Sequence, residues 1–213
     1  MKKVFIIGIG AGNPDYVTMQ AVKAMNEVDV FFFLDKGQAK EDLVKLRATV
    51  CERFIEDPSY RVVEVESPER DAATPDYKSG VDAWHRDKAA IFSRLIANEL
   101  KDDEIGAFLV WGDPSLYDST IRVIQQIITN GETAFDYEVI PGITSVQALA
   151  AQHKIALNAI GEPIHITTGR KLAEGLPKGV GTSVVMLDKG SGLRVREDED
   201  VDIDWGAYLG TPD

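Results

Sequence analysis

Cysteine occurs once, at Cys51, and histidine three times, at His85, His153 and His165. A lone cysteine closes no intramolecular disulfide and builds no thiolate zinc site. The three histidines stand far apart and show no ligand spacing, so no metal site is expected. Cations are scarce as well. Lys and Arg number 23 against 35 Asp and Glu, a formal net charge of −12. Nucleic-acid binding draws on clustered cations against phosphate, so this balance speaks against a nucleic-acid partner. Long apolar runs are missing too: none approaches the ~20 residues of a membrane-spanning helix, and no membrane partner is expected. The opening Met1-Lys2-Lys3 and its apolar continuation could pass for a short signal peptide. Asn13-Pro14-Asp15 stands where a small-residue cleavage site belongs, so the run reads as a first strand. A cytoplasmic protein is expected.

What is present is the composition of an ordinary globular chain. Its 213 residues are 44% hydrophobic and 27% charged, enough for one large or two small domains. Residues 4–9 are apolar throughout, as a strand buried on both faces would be. Thr18 is placed to cap a helix over 19–27, with Ala21, Val22, Ala24 and Met25 inward. A second buried strand falls at 30–33. A helix over 40–54 carries Leu43, Val44, Leu46, Val50 and Cys51 at helical spacing, and 61–65 reads as a strand. A charged loop at 67–76 leads to a long helix over 77–100 with Ala89, Ala90, Phe92, Leu95, Ile96 and Leu100 on one face. Strand 105–111, helix 119–129, strand 137–140 and helix 144–153 follow. Strands near 164–168, 183–187 and 205–209 complete the chain. This alternation predicts an α/β fold with a largely parallel sheet in the first half. The boundary between two α/β domains is expected at 117–120. The N-terminal domain then covers 1–117 on a parallel sheet, and the C-terminal domain covers 118–213 on a mixed one.

Three loops carry the chemistry. Gly8-Ile9-Gly10-Ala11-Gly12-Asn13-Pro14-Asp15 follows the first strand. Its glycines do not match the dinucleotide spacing G-x-G-x-x-G, because the third comes one place early and five residues separate it from the helix cap. A nicotinamide cofactor, with Asp35 as the ribose-binding acid, is the reading this loop alone leaves open. Gly112-Asp113-Pro114-Ser115-Leu116-Tyr117 follows the strand at 105–111. Glycine there permits a positive φ and close approach of a ligand to the backbone. Pro141-Gly142-Ile143-Thr144-Ser145 follows the strand at 137–140 and opens a helix that Thr144 or Ser145 can cap. No G-x-S-x-G is present, so a nucleophile elbow is not supported. Loops at the carboxyl ends of parallel strands line the crevice where small ligands bind.

In this order the loops resemble the tetrapyrrole (corrin/porphyrin) methylase family. Its pattern runs from a G-x-G-P-G loop through a central G-D-P and P-G-[IV]-[ST]-[SA] to a later strand with a methionine, here Ser183-Val184-Val185-Met186-Leu187. The segments Phe32-Phe33-Leu34-Asp35-Lys36-Gly37, Val110-Trp111-Gly112-Asp113-Pro114-Ser115-Leu116-Tyr117-Asp118-Ser119-Thr120 and Trp205-Gly206-Ala207-Tyr208-Leu209-Gly210-Thr211-Pro212-Asp213 are similar to a deacetylating branch of that family. Ala11 departs from the usual Pro, and Ile155-Ala156-Leu157 departs from I-P-L. The chain also stops soon after Leu209, so the C-terminal domain is expected to lack a tail.

The resemblance implies two α/β domains with a cofactor crevice between them, S-adenosyl-L-methionine as methyl donor with S-adenosyl-L-homocysteine as product, and a homodimer. It implies methylation of C1 of a corrin precursor, a small-molecule tetrapyrrole, with release of the C1 acetyl group as acetate. The family's cofactor contacts fall on Gly10, Ala11, Gly12, Trp111, Gly112, Asp113, Leu116, Thr144, Ser145 and Met186. Deacylation needs a base to activate water, and Asp113, Asp118 and His85 are the candidates. Asp35, Lys36 and Arg122 are candidates for touching the macrocycle, and Arg170 and Lys171 for its carboxylates. Other corrin positions, a non-corrin substrate such as an RNA nucleotide, and a silent binding module are the remaining alternatives.

Overall fold

The computed structural model describes residues 1–35, 41–68, 76–131, 133–176, 179–188, 201–207 and 209–210. Strands and helices alternate as β1 (Lys3–Gly8), α1 (Met19–Met25), β2 (Val30–Asp35), α2 (Glu41–Phe54), β3 (Arg61–Glu66), α3 (Tyr77–Glu99), β4 (Ile105–Val110), α4 (Thr120–Asn130), β5 (Asp136–Ile140), α5 (Ser145–His153), β6 (Ile164–Thr168), α6 (Gly169–Leu172) and β7 (Thr182–Met186). Thr18 caps α1 by accepting from Ala21 N at 3.1 Å. Gly131, at φ 71°, closes α4 in the left-handed conformation that glycine tolerates best.

Two compact units form. The first holds 1–145 with the 208–213 segment, and the second holds 146–207. The first is built on a five-stranded sheet of order β3-β2-β4-β1-β5. Every pairing in it is parallel. Successive side chains point to opposite faces of a strand, which explains the continuous apolar runs. On one face Phe5, Ile7, Phe31, Phe33, Ala107 and Leu109 pack with Ala21, Ala24 and Met25 of α1 and Val50 and Cys51 of α2. On the other, Val4, Ile6, Phe32, Phe108 and Val110 pack with Phe92 and Ile96 of α3 and Val123, Ile124 and Ile127 of α4. The Phe92 and Phe108 rings stack with centroids 4.1 Å apart. Each such buried side chain contributes about 1.5–3 kcal/mol.

The order of strands fixes where a ligand can bind. The chain leaves β1 toward β2 with α1 on one face of the sheet, and leaves β4 toward β5 with α4 on the other. β1 and β4 are neighbours, so their two outgoing loops part at their carboxyl ends and leave a crevice. The far side of β4 is paired more briefly. β2 and β4 pair only at Val30 with Gly106 and Phe31 with Ala107. Beyond that point Arg47 Nε, from α2, donates to the Leu109 carbonyl at 3.1 Å.

In the second unit β6 and β7 are parallel, with Thr168 beside Met186. Gly169 opens α6 with the Asp188 carboxylate packed against its Cα.

The described residues depart from several expectations. The break between units falls at 145/146, not at 117–120, because β5 adds to β1 and carries α4 with it into the first sheet. The mixed C-terminal sheet is a parallel pair among the described residues. No strand forms at 205–207. There the Trp205 carbonyl lies 3.1 Å from His153 Nε2, and the Asp204 carboxylate pairs with the same ring at 3.1 Å. Ala90 is exposed and Lys88 is buried in its stead.

Candidate active site

The Gly8–Gly12 and Gly112–Tyr117 loops meet where the strand order reverses. Gly10 and Gly112 form an antiparallel bridge. Gly112 N donates to Gly10 O at 2.7 Å, and Gly10 N donates back at 3.3 Å. Both glycines need their identity, since φ is 82° at Gly10 and 70° at Gly112, a region that a side chain penalises.

The third loop closes on the other two. A methyl group on Gly142 would overlap the Gly112 carbonyl oxygen, and one on Gly8 would lie 2.7 Å from Gly142 N. Only glycine lets three backbone segments approach this closely. Above Gly112, by contrast, an added methyl meets nothing nearer than Thr144 Cα at 3.9 Å. Space is therefore open over the turn, between it and the buried Thr144 that precedes α5.

Asp113 ties this ledge together. Its Oδ2 accepts from Gly142 N at 2.8 Å, and its Oδ1 accepts from Ser115 N at 2.8 Å and from the Ser115 hydroxyl. Burial is the largest single influence on its carboxyl and pushes the pKa up. The Ser115 hydroxyl and the N–H groups of Gly142 and Ser115 together outweigh it and hold the group below its ordinary value. An ionised carboxylate with both oxygens engaged is a brace more than a proton acceptor.

The other base candidates sit one turn along. Asp118 Oδ1 accepts from Thr120 N at 2.6 Å, and the Asp118 carbonyl accepts from Arg122 Nη1 at 3.3 Å. His85 is half-buried on α3, its ring 5.4 Å from that of Trp84. Its pKa is lowered, first by burial and then by the charges of Lys88 and Arg122, against the opposing pull of Asp82 and Asp118. The charges of Asp118 and Arg122 reach His85, a coupling the sequence leaves hidden.

Of the remaining expected residues, Ala11 is buried, Trp111 and Leu116 are half-buried on the first unit's loops, and Gly12 has φ 146°. Ser145 starts α5, and Met186 ends β7 in the second unit. Asp35 ends β2, separated from β1 by β4; its side chain and all of Lys36 lie outside the described residues. Lys171 pairs with Glu174 at 2.7 Å on an exposed stretch of α6. A 3-10 turn, Pro14–Tyr16, stands between the first loop's glycines and α1. That spacing keeps the helix end away from the glycines and weakens the nicotinamide reading.

Two cations near this edge escape a sequence reading. Arg47 lies on α2, and Lys88 lies on α3 with 5% exposure. Lys88 Nζ donates to Ser119 Oγ at 2.9 Å and lies over the rings of Trp84 and Phe92 at 4.7 and 5.4 Å. The signal was there in each case: Arg47 is spaced four before Cys51, and Lys88 four before Phe92, so each is a cation set into an apolar stripe.

Comparison with known proteins agrees with this geometry. The model of the tetrapyrrole (corrin/porphyrin) methylases matches residues 3–198. A precorrin-6A synthase [deacetylating] of Sinorhizobium sp is 49% identical over 213 residues, covering 100% of this chain and 82% of that protein. A crystal structure of a cobalamin-synthesis-related protein (CobF) from Corynebacterium diphtheriae superposes with a TM-score of 0.78 at 38% identity, covering 99% of this chain and 82% of that one. The uroporphyrin-III C-methyltransferase of Thermus thermophilus, solved with S-adenosyl homocysteine, shares the fold at a TM-score of 0.52 and 20% identity, over 91% of this chain and 76% of that one. A three-loop ledge at the switch point of a parallel sheet and a match over nearly the whole length lead to one conclusion: the chain belongs to the tetrapyrrole (corrin/porphyrin) methylase family.

Proposed function

We propose that the chain catalyses the reaction of a precorrin-6A synthase (deacetylating): methylation of C1 of precorrin-5, with release of acetate, in cobalamin synthesis. The observation that carries this reading is the junction of the three loops. Gly8, Gly112 and Gly142 bring their backbones together, and open space remains over Gly112. Such a ledge suits a compact nucleoside bearing a folded amino-acid tail. The full-length 49% identity to the Sinorhizobium enzyme supplies the substrate and the deacetylation.

S-adenosylmethionine supplies an electrophilic methyl group when bound. The protein's part is to orient. The Gly112–Leu116 turn offers backbone groups in a fixed geometry, because Asp113 locks that turn to Gly142. Thr144 stands across the open space, and Ser145 follows it as the first residue of α5. The substrate's own electron-rich carbon is the nucleophile, so no enzymic nucleophile is required. Holding two reactants in line can lower a barrier by roughly 7–11 kcal/mol. Arg122, which donates to the Asp118 carbonyl, would meet a carboxylate of the macrocycle. The reading extends to a cytoplasmic homodimer with no nucleic-acid or membrane partner. The net charge of −12 supports the first exclusion. Among the described residues no helix is long and apolar enough to cross a membrane.

The test is incubation with precorrin-5 and S-adenosylmethionine, followed by mass analysis of the pigment and an assay for free acetate. A methylated product and acetate in equal amounts are expected. Methylation without acetate would mean another corrin position. Absence of both, with no affinity for S-adenosylhomocysteine, would overturn the reading.

A further inference from the structure

Loss of the acetyl group needs a group that takes a proton from water, and three side chains compete for that role. Their surroundings separate them. Asp113 accepts hydrogen bonds on both carboxylate oxygens, and removing it from that brace would undo the ledge. Asp118 holds the first N–H of α4 with Oδ1. Neither ring nitrogen of His85 has a hydrogen-bond partner among the described residues.

The position of His85 follows from helix length. α3 has 23 residues, about 34 Å at 1.5 Å each. The six-residue strands beneath it span only about 20 Å. The helix therefore overhangs the sheet. Its buried side chains begin at Lys88, so the turns before Lys88 are the overhanging part. Two bonds fix the level of the overhang at the carboxyl edge. Trp84 Nε1 donates at 2.8 Å to the carbonyl of Pro68, just past β3, and Lys88 Nζ donates to Ser119, just ahead of α4. His85 lies between these two anchors, with one side of its ring against Trp84.

We propose that His85 is the base that activates water for deacetylation, with Trp84 and Lys88 as positioning residues that hold it at the carboxyl edge of the sheet. The proposal rests on the precorrin-6A synthase reading. Water gives one proton to a free imidazole nitrogen, and its oxygen bonds to the acetyl carbonyl carbon. The bond between that carbon and C1 then breaks, and acetic acid leaves. The electron pair of the broken bond passes to the conjugated macrocycle, and C1 uses it to take the methyl group of the sulfonium donor. The proton on His85 returns to solvent.

The charges facing the ring are consistent with this role. Asp82 and Lys88 act on it from α3, and Asp118 and Arg122 from α4 and its approach. Burial first, then Lys88 and Arg122, hold the imidazole pKa below its ordinary 6.5 against the opposing pull of Asp82 and Asp118.

The test compares wild type, His85→Gln and His85→Ala, measuring acetate release, methyl transfer and S-adenosylhomocysteine affinity on each. The expected result is acetate release reduced about 10²–10⁴-fold in both variants, with unchanged affinity for the nucleoside. Imidazole added to His85→Ala should restore part of the rate. The wild-type rate should fall on the acid side of pH 6.5, and His85→Gln should lose that limb. Acetate release within threefold of wild type in either variant would overturn the assignment. So would a parallel loss of nucleoside affinity, which marks a structural role. A wild-type protein that releases no acetate would instead sink the underlying reading of the reaction.

Discussion

The ammonium of Lys88 donates to the hydroxyl of Ser119 at 2.9 Å, and the bond takes from α4 the cap its sequence offers. Ser119 holds the N-cap position but makes no capping bond with its side chain; Asp118 reaches Thr120 N in its place. A buried cation is costly unless its donors are satisfied. Ser119→Ala is expected to destabilise the protein by about 1.5–3 kcal/mol, the range for a hydrogen bond to a charged group. Lys88→Met removes the charge along with the need for a partner, and its flexible thioether suits the space between Trp84 and Phe92. That variant is expected to be as stable as wild type or more so. Urea unfolding of the two variants checks the contrast.

The Asp113 brace makes a pH-dependent contribution of definite sign. Its carboxyl is held below the ordinary 3.8, so the folded protein binds that proton less readily than the unfolded chain. The stabilisation is fully present above about pH 4 and is lost as pH falls through the lower folded value. The stability difference between wild type and Asp113→Asn should be flat between about pH 5 and 7 and shrink below about 4. Asp113→Ala is expected to abolish S-adenosylhomocysteine binding, and calorimetry with unchanged affinity would remove Asp113 from the site.

Two glycines of the ledge should fail in different ways. A methyl group at Gly142 collides with backbone, so Gly142→Ala should cost about 1–3 kcal/mol, as overpacking of a tight region does. Gly112→Ala meets no neighbour within 3.9 Å, but it forces alanine to φ 70° and fills the space over the turn. Its expected cost is about 1–2 kcal/mol, with complete loss of nucleoside affinity. Thermal unfolding paired with a binding titration separates the two cases.

Cys51 should be chemically silent. It is 2% exposed, and burial, then the nearby Glu52 charge, push its thiol up to about 12. The thiolate is the reactive form. A thiol reagent should therefore leave the folded protein unlabelled at neutral pH and label it fully in denaturant.

The alternation of strands and helices was legible because each element carries a simple pattern. β1, β2 and β4 read as apolar runs because helices cover both of their faces. The three loops were legible as turns for the same local reason. What the sequence hid is long-range. Nothing near Gly142 says that it must clear the Gly112 carbonyl, or that Asp113 will hold it. The first compact unit runs past 117–120 because β5 returns to pair with β1, a choice made by tertiary contact and not by composition. Ala90 and Lys88 exchanged places against expectation because hydrophobicity predicts burial, whereas a lysine can bury its stem and head where aromatic faces and a hydroxyl receive them.

The paired peptide bonds between Gly10 and Gly112 tie the two loops together just past the ends of β1 and β4, next to the Ile9 N–Val110 O bond. The ledge proposed above to seat the nucleoside therefore shares the stiffness of the protein's innermost rungs. A guest arriving there finds its seat already set and forfeits little affinity to loop ordering. Amide hydrogens at both glycines should accordingly resist exchange as long as the central strands do, whether or not the donor is present.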